Sequence, residues 1–198
     1  MLEVVCVNVG SKYPKKYVNI LQAMVARNLT VPHRFVCLTD DPKGLKCVAR
    51  PAHKSLPGWW SKMHLFKPGI LKERTLYIDL DVVITGSLDS LVALDGFHII
   101  ADWNVGGYNS SVMLFDPADD VSHVWDEFEP AMMEKYHGDQ DVITNLLPDA
   151  ETFGARDCVS YKTHCRFGVP KDSKIVVFHG RPNPHELMTP WVKKLWRE

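Results

Sequence analysis

"LYIDLDVVITGSLDSL", residues 76 to 91, runs an apolar segment straight into Asp79 and Asp81 and then turns apolar again. Carboxylates beside a buried strand are costly to desolvate unless a cation neutralises them, so the pair points to a bound ion. Side chains two residues apart on an extended chain face the same way. Asp79 and Asp81 can therefore meet one hard divalent cation and the phosphates of a ligand together. An Asp-x-Asp triplet is common, and two solvated turn residues are the plain alternative. The apolar "TLYI" ahead of it favours the functional reading, because a buried strand holds the pair rigidly.

Ahead of this stretch, Glu3 to Val9 is rich in β-branched residues and ends at Gly10, as a buried strand would. Tyr17, Leu21, Met24 and Asn28 then fall at helical spacing, widened by Ile20 and Val25, with Pro32 beyond the stop. "RFVCLTDD" from Arg34 reads as a second strand ending in turn residues Asp40, Asp41, Pro42 and Gly44. "LKCVAR" reads as a short third strand, and "GWWSKMHLFKPG" as a short helix stopped by Pro68.

Beyond it, "FHIIADW" and "SVMLFD" are strand candidates on either side of "NVGGYNS". Val121, Val124, Trp125, Phe128 and Met132 form one helical stripe, with Asp119 or Asp120 as its cap. A second helix starts near "GDQD" and turns Val142, Ile143 and Leu146 inward. Short strands and loops are expected after Pro148, and "KIVVF" is a last strand reaching His179 and Gly180. The tail starts with too much proline for a single helix. Alternating strands and helices predict one α/β domain over residues 1–198, with a mixed, mainly parallel sheet between helices. Ligands of such sheets sit at the carboxyl ends of the strands. The polar ends here are Asn8-Val9-Gly10, Asp79-Leu80-Asp81, Asp102 and His179-Gly180.

The chain has 198 residues, 23 basic against 24 acidic, for a net charge of −1. That balance argues against a nucleic-acid partner, which needs a dense basic surface. No stretch approaches the roughly 20 apolar residues of a membrane span, so no integral membrane segment is expected. "MLEVVCVNVG" reads as a strand rather than a secretory signal, and five scattered cysteines read as reduced thiols; both favour the cytoplasm.

His179 can add a nitrogen donor to the two aspartates, a set that suits Mn²⁺ and admits Mg²⁺. A histidine after a strand is more commonly structural, so its meeting with Asp79 and Asp81 is what matters. "LYIDLDVVITGSLDSL", "GYNSSVMLFDP", "HGDQDVITNLL" and "IVVFHGRPNPHE" occur in an order and spacing that resemble family 8 glycosyltransferases. These are the glycogenin and lipooligosaccharide galactosyltransferase group. The resemblance spans nearly the whole chain.

The resemblance implies a GT-A (Rossmann-like) nucleotide-diphospho-sugar transferase fold. It also implies a UDP-sugar donor and Mn²⁺ (or Mg²⁺) held by Asp79, Asp81 and His179. A hexose would pass, with retention, to a saccharide, lipid-linked or protein acceptor. Val9, Gly10 and Leu80 would then lie against the nucleotide and its diphosphate, with Tyr13 stacking on the uracil and Tyr17 as the alternative. Asp40 would touch base or ribose, and Lys62 the sugar or phosphates. Asp102, Asn109 and Ser110 would bind donor hydroxyls. Asp139 would hold the donor sugar, Gln140 would stand near its anomeric carbon, and Asp141 would serve the helix start.

The family's closing lysine is missing: Gly180 follows His179 directly, and Asn183-Pro184-His185 stands where Lys-Pro-Trp is usual. Arg181 or Lys162 is the replacement charge. Asp89 is left to helix or turn chemistry, and Trp191 and Trp196 to closing the core. Two rivals remain. One is a haloacid dehalogenase-type phosphohydrolase with Asp79 as nucleophile and Asp81 as acid and base. The other is a nucleotide-sugar-binding module without catalysis.

Overall fold

The computed structural model describes every residue except 53–55, 105, 117, 118 and 120. Among the described residues, ten strands run as β1 (Leu2–Asn8), β2 (His33–Thr39), β3 (Val48–Pro51), β4 (Arg74–Ile78), β5 (Val82–Ile84), β6 (His98–Ala101), β7 (Tyr108–Phe115), β8 (Glu151–Thr152), β9 (Cys158–Ser160) and β10 (Ile175–Val177). The α-helices are α1 (Lys15–Asn28), α2 (Asp89–Val92), α3 (His123–Asp126), α4 (Met132–Lys135), α5 (Asp139–Leu146), α6 (Tyr161–His164) and α7 (Pro190–Leu195). Gly58–Phe66 and Pro184–Glu186 are 3₁₀ segments.

The main sheet has seven strands in the order β3-β2-β1-β4-β7-β6-β8. It is parallel through β3, β2, β1 and β4, while β7 lies antiparallel to both β4 and β6. The mixed, mainly parallel sheet expected from the sequence is the one observed. Period-two alternation explains how it is buried. Val4, Cys6, Leu76 and Ile78 face the α1 side, where Tyr17, Ile20, Leu21 and Met24 form the helix's buried stripe. Val5, Val36, Leu38 and Tyr77 face the other side, covered by the Gly58–Phe66 segment, α3 and α5. Glu3 is wholly buried in β1 and is held by Arg50, whose Nη1 donates to it at 2.7 Å, a pairing without which that carboxylate would be costly.

A second sheet, β5-β10-β9, begins where β4 ends. Val177 pairs with Val82 across β10 and β5, and Phe178 N–H donates to the Asp81 carbonyl at 3.1 Å. This register brings His179 alongside the aspartate turn. The Asp79 N–H donates to the Ser111 carbonyl at 2.8 Å, which fixes the start of β7 against the same turn.

Several expectations are corrected. The stripe from Val121 to Met132 is two short helices, because Pro130 has no N–H for a continuous one. Ser122 is the N-cap of α3; Asp119 instead accepts from Asp116 N at 2.7 Å, and Asp120 lies outside the described residues. "LKCVAR" forms a strand only from Val48, and β7 starts earlier, at Tyr108. Asp89 accepts from the Thr30 N–H and hydroxyl at 2.8 and 2.9 Å and ties the end of α1 to α2. Trp191 packs near Tyr161 and Phe178, and Trp196 against Tyr17, so both close the interior. All five cysteines are free thiols. No helix among the described residues is long and apolar enough to cross a membrane.

Candidate functional site

A cleft of about 310 Å³ opens over the ends of β1 and β4 and the start of β7. Val9, Tyr13, Lys62, Asp79, Leu80, Asp81, Asn109, Ser110, Asp139, Gln140, His179 and Gly180 all line it. Four elements far apart in sequence thus meet in one place: the β1–α1 loop, the β4–β5 turn, the α5 start and the end of β10.

At its floor, Lys62 comes off the Gly58–Phe66 segment with its side chain only 12% exposed. Its Nζ donates to Asp79 Oδ2 at 3.1 Å and to Ser110 Oγ at 3.0 Å, and stands 3.5 Å from Asp139 Oδ2. Ser110 Oγ in turn donates to Asp139 at 2.5 Å, and Tyr77 OH donates to Asp79 Oδ1 at 2.5 Å. Burial disfavours the Lys62 charge, yet Asp139 and Asp79 outweigh it and push the ammonium above its ordinary range. Burial, aided by Asp79, pushes Tyr77 up as well, so it stays a donor.

Asp81 has less cationic company. Desolvation, and then repulsion from Asp79, push its carboxyl up to about 6, against the pull of the Tyr13 hydroxyl, Lys12 and Lys62. The Tyr13 OH donates to Asp81 Oδ2 at 2.8 Å, while its ring lies 4.8 Å from that of Tyr17. Tyr13 therefore turns its hydroxyl to the aspartate while its ring lines the cleft. Tyr17 is buried behind it, with its hydroxyl on His185 Nδ1.

His179 lines the same cleft, stacks on Trp103 at 5.6 Å and shares a hydrogen bond of 2.7 Å between Nε2 and Ser160 Oγ. Burial, then the nearby Lys162, hold its imidazole below the ordinary range. Among the described residues, no three or more His, Cys, Asp or Glu side chains are gathered at metal-binding distances. Tyr13, Ser160, and the Lys62–Tyr77 pair hold the three proposed ligands individually. The donor chemistry nonetheless fits a hard divalent cation. Two carboxylates share one turn, and the Asp81 charge is poorly compensated, the imbalance a cation would relieve.

Gly10, Asp40, Asp102 and Arg181, given to the donor in the sequence, do not line the cleft. Gly10 turns the chain at φ +76°, and its N–H donates to Asp40 Oδ1 at 3.2 Å; Asp40 thus braces that turn from the end of β2. Asp102 Oδ1 accepts from Asn104 N at 2.8 Å and organises the loop before β7. The Arg181 side chain is 87% exposed and stands 3.9 Å from Glu186. Lys162 is nearer: a Cβ placed on Gly180 would lie 3.4 Å from its Nζ. Of the two replacement charges, Lys162 is the one beside the cleft.

Asn109 Oδ1 accepts from Ser111 N at 3.1 Å and its Nδ2 lies 3.5 Å from Gln140 Oε1. Asp141 does not cap α5, whose N-cap is Gly138 with no side-chain cap; it lies in the first turn and accepts from His137 N at 3.1 Å, tying the preceding residue to the helix. Sequence reasoning missed Lys12, Trp59 and His137 as lining residues. It also missed Tyr77 and Ser160 as partners of the aspartates and His179. Tyr77, two residues before Asp79 on the same strand face, was readable from alternation; Ser160 carried no local signal.

No protein-family model matches the chain, and no curated protein does. Solved structures do. The galactosyltransferase LgtC, in complex with donor and acceptor sugar analogs, superposes with a TM-score of 0.70 at 14% identity, over 92% of this chain and 88% of that one. The glycosyltransferase GlyE of Streptococcus pneumoniae TIGR4 gives 0.72 at 16% identity, over 93% of this chain and 56% of that one. An active-site mutant of LgtC gives 0.70 at 12% identity, over 97% and 93%. This chain has the GT-A fold of these glycosyltransferases.

Proposed function

We propose that this chain of GT-A fold is a metal-dependent glycosyltransferase that moves a hexose from a UDP-sugar to an acceptor hydroxyl. The observation that carries the reading is the meeting of Asp79, Asp81 and His179 with the Lys62–Ser110–Asp139 network in one cleft. In the reaction, the bond from the anomeric carbon to the diphosphate oxygen breaks and a bond to the acceptor oxygen forms. UDP leaves with the bonding electrons, and the acceptor's proton passes to the departing phosphate or to water.

Asp79, Asp81 and His179 would hold Mn²⁺ or Mg²⁺, with Leu80 on the turn between the aspartates. When bound, that cation supplies Lewis-acid neutralisation of the charge growing on the leaving diphosphate. Lys12, which lines the cleft, and Lys162, beside Gly180, would add positive charge for the phosphates. Lys62, fixed by Asp79, Ser110 and Asp139, bridges the partly buried Asp79 and the buried Asp139 and keeps the sugar end of the cleft rigid. Asp139 offers acceptor oxygens to donor hydroxyls, and Gln140, next along α5, places its amide at the reacting end. An amide is a weak nucleophile, so Gln140 orients rather than attacks. Retention rests on the family resemblance.

Tyr13 competes with the cation for Asp81. Tyr13→Phe keeps the ring and removes the competing hydroxyl, so Mn²⁺ affinity, read from free Mn²⁺ by electron paramagnetic resonance, is expected to rise about tenfold. Unchanged or weaker binding would show that the hydroxyl does not compete.

The phosphohydrolase reading needs Asp79 as a free nucleophile, whereas both its oxygens accept hydrogen bonds, from Tyr77 and Lys62. The binding-module reading predicts UDP and Mn²⁺ binding without turnover of any UDP-sugar. A thermal-shift panel of UDP-glucose, UDP-galactose and UDP-N-acetylglucosamine, with and without Mn²⁺, tests the proposal. The true donor, at about a hundred times its dissociation constant, adds about 2.7 kcal/mol of stability, or roughly 5–10 °C in Tm, with Mn²⁺ present. No shift with any UDP compound would remove the proposal.

A further inference from the structure

Gly58-Trp59-Trp60 opens the 3₁₀ segment, and its two tryptophans have opposite fates. Trp60 is 7% exposed and stacks on Phe128 at 5.9 Å inside the core. Neighbours on a 3₁₀ helix are turned about 120° apart. Trp59 is accordingly directed away from the core and is 50% exposed at the edge of the cleft. Held at the rim of a polar cleft, the indole offers a ligand in that cleft an apolar face with a polar N–H edge.

Its position says what binds. Across the sheet, the cleft begins at the β1 loop with Val9 and Tyr13, crosses Asp79 at the end of β4, and reaches Ser110, Lys62 and Asp139 at the start of β7. A donor with its diphosphate at the aspartates and its nucleotide on the β1 loop places its sugar at Asp139 and Gln140. Trp59 lies next beyond: its Nε1 is 3.5 Å from where a Cβ on Gly138 would stand, one residue before Asp139. The exposed His137 ring follows at 6.5 Å, tilted by 31°. An acceptor approaching the anomeric carbon from this end of the cleft passes these two rings.

We propose that Trp59 is the platform of an acceptor subsite and that the acceptor presents a pyranose ring to it; this rests on the transferase reading above. A pyranose has a flat face of C–H groups that packs on the indole, and hydroxyls at its rim for the Gln140 amide and the His137 imidazole. A serine or tyrosine of a protein acceptor would lack that combination. Trp59 thereby selects the acceptor without touching the nucleotide.

The test uses 5-fluorotryptophan-labelled protein with UDP and Mn²⁺, where six tryptophans give six ¹⁹F resonances and Trp59→Phe assigns the one of interest. Methyl β-D-galactoside, methyl β-D-glucoside and methyl N-acetyl-β-D-glucosaminide are titrated in turn. At least one is expected to move the Trp59 resonance. For that glycoside, Trp59→Ala should lower affinity, read by saturation-transfer NMR, at least about tenfold, and Trp59→Phe by no more than about threefold. UDP affinity should stay within about twofold in both variants. If the Trp59 resonance responds to UDP and to none of the glycosides, or if Trp59→Ala weakens UDP and glycoside alike, the subsite is overturned. If the unaltered protein fails to bind UDP with Mn²⁺, it is the transferase reading that falls.

Discussion

Lys62→Met is expected to cost about 3–5 kcal/mol of folding stability, read by urea unfolding in the presence of a chelator. Methionine fills nearly the same space, so the loss reports charge rather than volume. The ammonium it removes donates to Asp79 and Ser110 and stands 3.5 Å from Asp139. Without it, the buried Asp139 and the partly buried Asp79 are left with only the Ser110 and Tyr77 hydroxyl donors. Adding Asp139→Asn to Lys62→Met should recover about half the loss, since one stranded charge disappears. The pH dependence has a definite sign. Carboxylates without a cation have folded pKa values above their unfolded values of about 4, so the penalty is full at neutral pH and fades on acidification towards that value. A Lys62→Met protein within about 1 kcal/mol of the parent at neutral pH would mean the ammonium is not the counter-ion of these carboxylates.

Asp81→Asn is expected to move stability and function in opposite directions. In the parent, burial and Asp79 push the Asp81 carboxyl up to about 6. A shift of about two units from the ordinary value corresponds to about 3 kcal/mol lost to the metal-free fold at neutral pH. Asparagine removes that charge and still offers an oxygen to the Tyr13 hydroxyl. The metal-free Tm should therefore rise above the parent's at pH 7, by an advantage that shrinks between about pH 6 and pH 4 as the parent's carboxyl is protonated. Mn²⁺-dependent sugar transfer should meanwhile fall at least about a hundredfold, because a neutral amide is a poor ligand for a hard cation. A variant that is less stable at pH 7 without metal, or that keeps metal-dependent transfer, would contradict this account of the turn.

Both effects arise from a site whose outline was readable in the chain. Continuous apolar, β-branched runs pointed to β1, β2, β4 and the interior of β7, and a 3.6-residue stripe to α1, because each buries one face or both against a neighbouring layer. The small β5-β10-β9 sheet was not separable from the main one by pattern. "VVI" after Asp81 reads the same whether it extends β4 or opens a new sheet, and only the register of Val177 on Val82 decides it. Pro130 was visible, yet the apolar spacing across it outweighed the break it imposes.

In the site, the motif positions Asp79, Asp81, Lys62, Ser110, Asp139 and His179 come together in one cleft. Asp40, Asp102 and Arg181 follow strand ends just as closely in sequence, but a strand's last residue does not say to which side the next one turns. Gly10 at positive φ settles it for Asp40, by bringing a backbone N–H onto its carboxylate. Tyr13 was identified as a residue of the cleft, but its hydroxyl bond to Asp81 was not: spacing locates a tyrosine and does not say what its hydroxyl meets. The Ser160 partner of His179 joins two separate strands, and nothing local announces it.

The central claim is that Asp79, Asp81 and His179 bind a donor diphosphate through a divalent cation. Calorimetric titration of UDP into the protein, with Mn²⁺ and then with a chelator, addresses it most directly. The account predicts saturable binding with Mn²⁺, at least about tenfold weaker binding with the chelator, and loss of the Mn²⁺-dependent part in Asp79→Asn. UDP binding of equal strength in the two conditions, or no binding in either, would contradict it.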